Sequence, residues 1–286
     1  MIPAGSAVPL VVLIAAGLHA TWNAVAHGMK DQVVGFALIS LAFTGGAGVL
    51  ICLTPIPPPP ARPFVVTSGV LEIIYLITLL NAYRLGDFTQ MYPLARGLSP
   101  PLVTAWSTIV LGQPLAAGTL AGVLVISLGL LGLALPRGLP GRDQLPALAA
   151  AIGTGVIIAS YTLVDGVGVR HSDTVLGYIA WIFLLQGLGF LVVAFALRGR
   201  TLFVGLPGDV WLRGLTGGVL SLTAYGLVVW AQSRGSLAMV AALRETSIVI
   251  AAAIGALFFR ERLGRKRVVA SIVVVAGIAL LELARG

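Results

Sequence analysis

The sequence predicts an all-α integral membrane protein: ten transmembrane helices in a 5+5 inverted-topology repeat around a central cavity. Three observations predict it. Of 286 residues, 58% are hydrophobic and only 10% charged, with mean hydropathy +1.02, whereas soluble domains carry about 25% charged residues. Apolar runs of about 20 residues, the length needed to cross a hydrocarbon core, recur ten times between helix breakers. The second half of the chain then repeats the first.

The first span is 8–27. The opening "MIPAGSAVPLVVLIAAGLHA" lacks a positive flank, and its apolar run continues into "TWNAVAHG". It therefore reads as a retained span and not as a cleaved signal. The second, 33–53, stops at "TPIPPPPARP" (54–63), where prolines remove the backbone donors a helix needs. The third and fourth are 64–83 and 88–111. The fifth, 115–135, ends at the Pro- and Gly-rich "PRGLPGRDQLP" (136–146). The remaining five are 146–165, 175–197, 211–232, 237–259 and 267–283. No segment between spans is long enough for a soluble domain. The single cysteine, Cys52, excludes an internal disulfide.

Five segment pairs match in the same order. "GVLEIIYLITLLNAYRLGDF" (69–88) aligns with "GVLSLTAYGLVVWAQSRGSL" (218–237). "PLARGLS" (93–99) resembles "ALRETS" (242–247). "GQPLAAGTLAGVLVISLGLLGLAL" (112–135) aligns with "RERLGRKRVVASIVVVAGIALLEL" (260–283), placing Gly129 on Gly277. "VVGF" (33–36) pairs with "VLGY" (175–178), and "HATWNAV" (19–25) with "IASYTLV" (158–164). The repeats are 1–135 and 146–286, joined by a linker at 136–145. A five-span unit is odd-numbered, so its second copy enters the membrane from the opposite side, an organisation that points to transporters.

The net charge of +8 and pI near 10.4 do not mark a nucleic-acid binder, because the positive residues sit in short turns. Twelve of the 18 Lys and Arg residues fall in odd-numbered loops and their flanks, five of them within "RERLGRKR" (260–267). The positive-inside rule then puts the odd loops in the cytoplasm and both termini outside. The expected location is the plasma (bacterial inner) membrane.

Ionisable residues inside spans are expensive and mark function by default. Arg96 in span 4 and Arg244 in span 9 lie too deep to reach the interface easily, and inversion brings both near the midplane. Tyr92, Arg96 and Ser99 share one helix face. Arg96 reads either as a solute contact or as a structural partner of Glu72 or Glu245. Glu245, beside Arg244, favours an ion pair. Glu72, with Tyr75 one turn on, has no local partner and is the better proton-site candidate, since desolvation and a nearby arginine pull a carboxylate in opposite directions. His19, Trp22 and Asn23 form one face of span 1. The counterpart of Trp22 is Tyr161, so an aromatic at both repeats suggests a cavity wall, to which Tyr225 adds. Asp165 falls at the end of span 6 and reads as an interface residue. Pro100 and Pro101 bend span 4 and are candidate hinges. Spans 5 and 10, rich in small residues and nearly free of polar ones, read as scaffold or dimer faces. Neither a metal-ligand cluster nor a nucleophile–base set is present, so no metal, no cofactor and no enzymatic activity are expected.

The five-plus-five repeat and the segment "FFRERLGRKRVVASIVVVAGIALL", above all its "ERL" turn, resemble the EamA-like branch of the drug/metabolite transporter superfamily. Each half is similar to one EamA domain. The first-half counterpart of the turn, "GQPL", has glutamine in place of glutamate. The resemblance implies a secondary carrier with a cavity lined by spans 1, 3, 4, 6, 8 and 9 and with spans 5 and 10 peripheral. It also implies that the substrates are small metabolites, amino acids or drugs, usually exported. "HATWN" looks like a subgroup associated with phosphonate-utilisation genes. The expectation is thus a secondary active transporter, monomeric or homodimeric, of a small polar or amphiphilic solute, with Glu72 as the candidate site for coupling to protons. The two arginines favour an anionic one. A lipid flippase or passive channel is the alternative, and a membrane-embedded enzyme a weaker one.

Overall fold

The computed structural model describes residues 4–27, 29, 31–85, 88–134, 144–250 and 265–283. The chain is helical along almost all of this length. The helices are α1 (Ala4–His27), α2 (Gln32–Leu53), α3 (Arg62–Leu85), α4 (Phe88–Ile109), α5 (Ala117–Ala134), α6 (Leu145–Gly168), α7 (Val175–Arg198), α8 (Gly208–Gln232), α9 (Leu237–Arg244) and α10 (Arg265–Leu283). Residues 136–143 of the expected linker and the "ERL" turn lie outside the described residues, and α6 starts at the last expected linker position, Leu145.

Helices win here because lipid offers no partner to a free backbone amide or carbonyl, and a helix satisfies these groups internally. The ends are closed by side chains where the sequence provides them. Asp31 caps α2, its Oδ1 accepting from the amides of Val33 at 3.0 Å and Val34 at 3.3 Å. Thr174 caps α7 by accepting from Gly177 N at 3.1 Å. Gly199 ends α7 with φ +60°, a conformation open to glycine without steric cost.

Stretches of five helices, α2, α3, α6, α7 and α8, are each long and apolar enough to cross a membrane. Shorter apolar stretches lie in α1, α5 and α10. Large apolar side chains such as Val49, Ile109, Val192, Leu212 and Ile272 stay exposed on the outer surface, where a bilayer would cover them.

α1 lies along α8, and α6 along α3. α2 packs on α7 and α8, α3 on α7, α4 on α5 and α6, and α9 on α4 and α1. α5 and α10 pair with each other. Their seam depends on small residues. A methyl group at Gly277 would sit 2.9 Å from the Ile126 amide nitrogen, and one at Gly122 would sit 3.0 Å from the Gly277 carbonyl oxygen. The small faces of spans 5 and 10 are thus filled inside the molecule. The largest apolar cluster lies among α2, α3, α7 and α8 and contains Phe36, Phe43, Phe183 and Phe190.

One expected element differs. Span 9 was read as continuous over 237–259, but α9 ends at Arg244. Glu245 sits in a turn and the helix resumes at 246–250. The Glu245 amide donates to the Ala242 carbonyl at 3.1 Å, a tightened three-residue step. Residues 251–264 lie outside the described residues.

Gly277→Val overpacks the α5–α10 seam and is expected to destabilise the protein by about 1–3 kcal/mol. Gly132→Ala, where nothing lies within 4 Å, should leave the melting temperature in detergent unchanged or slightly raised. Comparable melting of the two variants would show that this seam does not hold the fold.

Candidate functional site

The break in α9 places its charges where the backbone favours them. Arg244 is the last residue of α9, at the negative end of its dipole. Glu245 precedes the next helical piece, at a positive end. Both are buried, Arg244 3% and Glu245 0% exposed, as is Arg96 of α4 at 2%. Arg96 Nε lies 2.8 Å from Glu245 Oε2, whereas Arg244 Nε stands 3.7 Å from Glu245 Oε1. The 2.8 Å approach is an ion pair without aligned hydrogen-bond geometry, since the same Nε has no hydrogen-bonded acceptor. Arg96 Nη2 also reaches Ser247 Oγ at 3.4 Å. Of the two sequence alternatives for the partner of Arg96, Glu245 is the one in contact. Arg244 Nη2 is buried with no partner.

Beside this pair lies a cavity of about 70 Å³. Water needs about 10–15 Å³ of such space per molecule, so the cavity holds a few waters and not a metabolite. Arg96 and Arg244 line it together with His19, Trp22, Glu72, Tyr75, Tyr161 and Tyr225. Eight of the eleven residues expected at the site or at the proton site therefore meet here. Tyr92 sits behind them, its ring 5.9 Å from the Arg96 guanidinium carbon and its hydroxyl 3.4 Å from His19 Nε2. Glu245 sits behind the arginines. The side chain of Asn23 lies outside the described residues. Trp22 Nε1 donates to His19 Nδ1 at 3.1 Å. An indole N–H can only donate, so His19 Nδ1 accepts and the ring is neutral.

Several wall residues departed from expectation. α2 and α7 were left out of the cavity, yet Phe36, Ile39 and Phe43 of α2 and Phe183 and Gln186 of α7 line it. α2 packs directly on α7 and α8, so their facing side chains reach the cavity wall, which span counting does not register. Gln186 was the available signal, a polar residue in mid-span whose buried Oε1 has no partner.

Asp165 also departs. It is not an interface residue: it is fully buried, because the helical path continues through Gly168 into a short 3₁₀ turn ending at His171. Tyr178 donates to its Oδ1 at 3.1 Å, and Tyr225 donates to its Oδ2. Tyr75, Tyr161, Tyr225 and Phe183 form a chain of edge-on ring contacts with centroids 5.7–5.9 Å apart. Pro100 and Pro101, the candidate hinges, lie within an unbroken α4. The Thr104 hydroxyl donates to the Pro100 carbonyl at 2.8 Å.

Residues 145–283, from α6 to α10, match the model of the EamA-like transporter family. This stretch, the second half of the chain, is an EamA-like transporter domain. The match and the membrane-length apolar helices mark a multi-pass membrane protein of the drug/metabolite transporter type. A solved structure described only as "Crystal structure of protein" superposes on it with TM-score 0.80 at 19% identity, covering 97% of this chain and 98% of that one. At that identity the likeness is one of fold. No curated protein matches the sequence. The EamA fold thus carries a small, aromatic-walled cavity with two arginines and three carboxylates around it.

Removing one member of a buried ion pair strands the other charge, so Glu245→Ala is expected to cost about 3–5 kcal/mol. Replacing both, as Arg96→Met with Glu245→Leu, should recover most of that loss. Arg198→Ala, which breaks the half-exposed contact with Asp31 at 2.7 Å and leaves the α2 cap in place, should cost about 1 kcal/mol or less. The check is thermal unfolding of all three in one detergent.

Proposed function

We propose that this chain is a secondary active transporter of a small anionic, amphiphilic metabolite, working by alternating access in the plasma (bacterial inner) membrane. The observation that carries this reading is Arg244. It is a buried guanidinium on the cavity wall, its Nη2 has no partner, and its carboxylate neighbour already engages Arg96. A buried guanidinium nitrogen without an acceptor is costly, and a carboxylate or phosphonate would complete it with charge-assisted hydrogen bonds. Trp22, Tyr75, Tyr161 and Tyr225 around it suit an apolar or aromatic body on the solute.

Two observations support the inverted repeat, with halves at 1–135 and 146–286. Exchanging α1–α5 with α6–α10 turns α1–α8 packing into α6–α3 packing, α2–α8 into α7–α3, and α4–α6 into α9–α1. The pairs α2–α7, α4–α9 and α5–α10 map onto themselves. The cavity residues of α3, namely Glu72, Tyr75, Leu76 and Leu79, also align one for one with those of α8, namely Ser221, Ala224, Tyr225 and Val228. Two homologous faces thus meet across one cavity. The free space is smaller than a metabolite, so admitting one requires the halves to part. Pro100 and Pro101 in α4 and the turn at Glu245 after α9 weaken equivalent helices just beyond the two arginines, where bending for such a motion would fall.

Proteoliposomes are assayed for saturable flux of labelled aromatic and aliphatic carboxylates and phosphonates. Flux of at least one is expected, and Arg244→Ala should reduce it about a hundredfold or more, the loss of a charge-assisted contact worth about 3 kcal/mol. The variant should keep its fold. Equal flux by Arg244→Ala would remove the arginine from the site, and no saturable flux across the panel with folded protein would remove the transporter reading.

A further inference from the structure

Two of the charges on the cavity wall have no full answer among the described residues. Arg96 and Glu245 engage each other, and Asp165 lies buried with its two oxygens accepting from Tyr178 and Tyr225. Arg244 and Glu72 remain on the wall, and no salt bridge joins them. An anion on Arg244 answers the cation alone. It leaves Glu72, 3% exposed and with Oε2 unpartnered, as a bare buried carboxylate, which is costly.

A second acceptor stands near it. α3 and α7 pack on each other, with Leu185 against Gly69 and Ile73 against Gly189. Four residues separate these contacts on each helix, so the two helices run parallel and in step. Glu72 precedes Ile73, and Gln186 follows Leu185. They therefore stand two residues, about 3 Å, apart in depth on the flanks of one seam. Both line the cavity, and Gln186 Oε1 is also buried without a partner. Two such oxygens are costly until a donor reaches them. A neutral donor would leave the charge of Glu72 unanswered. A hard metal cation takes about six or more oxygen ligands, and the seam supplies these two side chains. A protonated amine brings three donors and a positive charge, and aromatic faces attract it. Tyr75, three residues after Glu72, starts the chain of rings that runs on through Tyr161 and Tyr225.

We propose that Glu72 and Gln186 form an ammonium subsite, so that the solute whose acid group Arg244 takes also carries a protonated amine. Arg244 enters from α9, which packs on α4 and α1, whereas the acceptors lie on the α3–α7 seam. Acid and amine thus meet different walls, with the body of the solute between them. The substrate class narrows to ω-amino carboxylates and phosphonates, whose two charges stand at opposite ends. That these are cargo rests on the transporter reading, whereas the subsite as a place of binding does not.

Binding to the protein in lipid nanodiscs is read by calorimetry with three probes. 4-(Aminomethyl)benzoate carries acid and amine at opposite ends of a ring. 4-Ethylbenzoate has a methyl group in place of the ammonium. Phenylglycine has the same atoms as the first probe, with both charged groups on one carbon. The first is expected to bind about tenfold or more tightly than either of the others, the worth of one charge-assisted contact. Glu72→Gln should erase its advantage over 4-ethylbenzoate, and Gln186→Leu should reduce it. Equal binding of the amine and ethyl probes, an advantage that survives Glu72→Gln, or no binding of the amine probe to folded protein overturns the subsite. Equal binding of phenylglycine overturns the placement of the amine at the far end. The wild-type comparison decides both even where a variant folds poorly. Proteoliposome flux then separates the two claims. If the amine probe binds with this preference and no probe is carried, the transporter reading falls and the subsite stands. If 4-ethylbenzoate is carried saturably and the amine brings no gain, the transporter reading stands and the subsite falls.

Discussion

Charge cannot be left bare inside a membrane protein, and the centre of this molecule is built around that constraint. Five ionisable side chains are buried in one region, in a medium where water does not share the cost of solvating them. Arg96 reaches across from α4 to Glu245, fixing two helices from different halves of the chain to each other. α9 stops at Arg244 so that helix dipoles of opposite sense support the two neighbouring charges. The broken helix and the ion pair are therefore one device.

The scaffold allows this centre to exist. Glycine seams bring helices together closely enough that side chains from eight of them converge on one cavity. Gly155 lies against the Ala95 carbonyl, between α6 and α4, where a methyl group would sit at 2.7 Å. Gly187 lies against the Ser40 carbonyl, between α7 and α2, at 2.8 Å. In lipid there is little hydrophobic gain from pairing two apolar helices, so close backbone approach and dispersion carry the association. α5 and α10 use the same chemistry away from the cavity and contribute no lining residue.

The two halves share a frame and differ in what they place on it. Glu72 faces Ser221 at the matching position, and Leu76 matches Tyr225. Each acid-bearing position in one half thus meets a neutral residue in the other.

Much of this was legible in the chain itself. Composition pointed to the membrane, apolar run lengths to the helices within a few residues except in span 9, and in-span charges to side chains that line the cavity, because each of these depends only on local sequence and the cost of burial. Arg96, Arg244, Glu72, Tyr75, Tyr161 and Tyr225 were found this way. Asp165 was misplaced because helix ends depend on a turn of backbone that sequence periodicity does not resolve, and three residues moved it from the edge to the interior. The place of Phe36, Phe43 and Phe183 in the cavity wall was not legible, since it depends on how closely glycines let the helices approach. The choice of Glu245 over Glu72 as the partner of Arg96 was decided only by tertiary structure. Both acids sit at suitable depth in the sequence, but depth is one coordinate, and which charge touches which is set by the rotation and approach of separate helices.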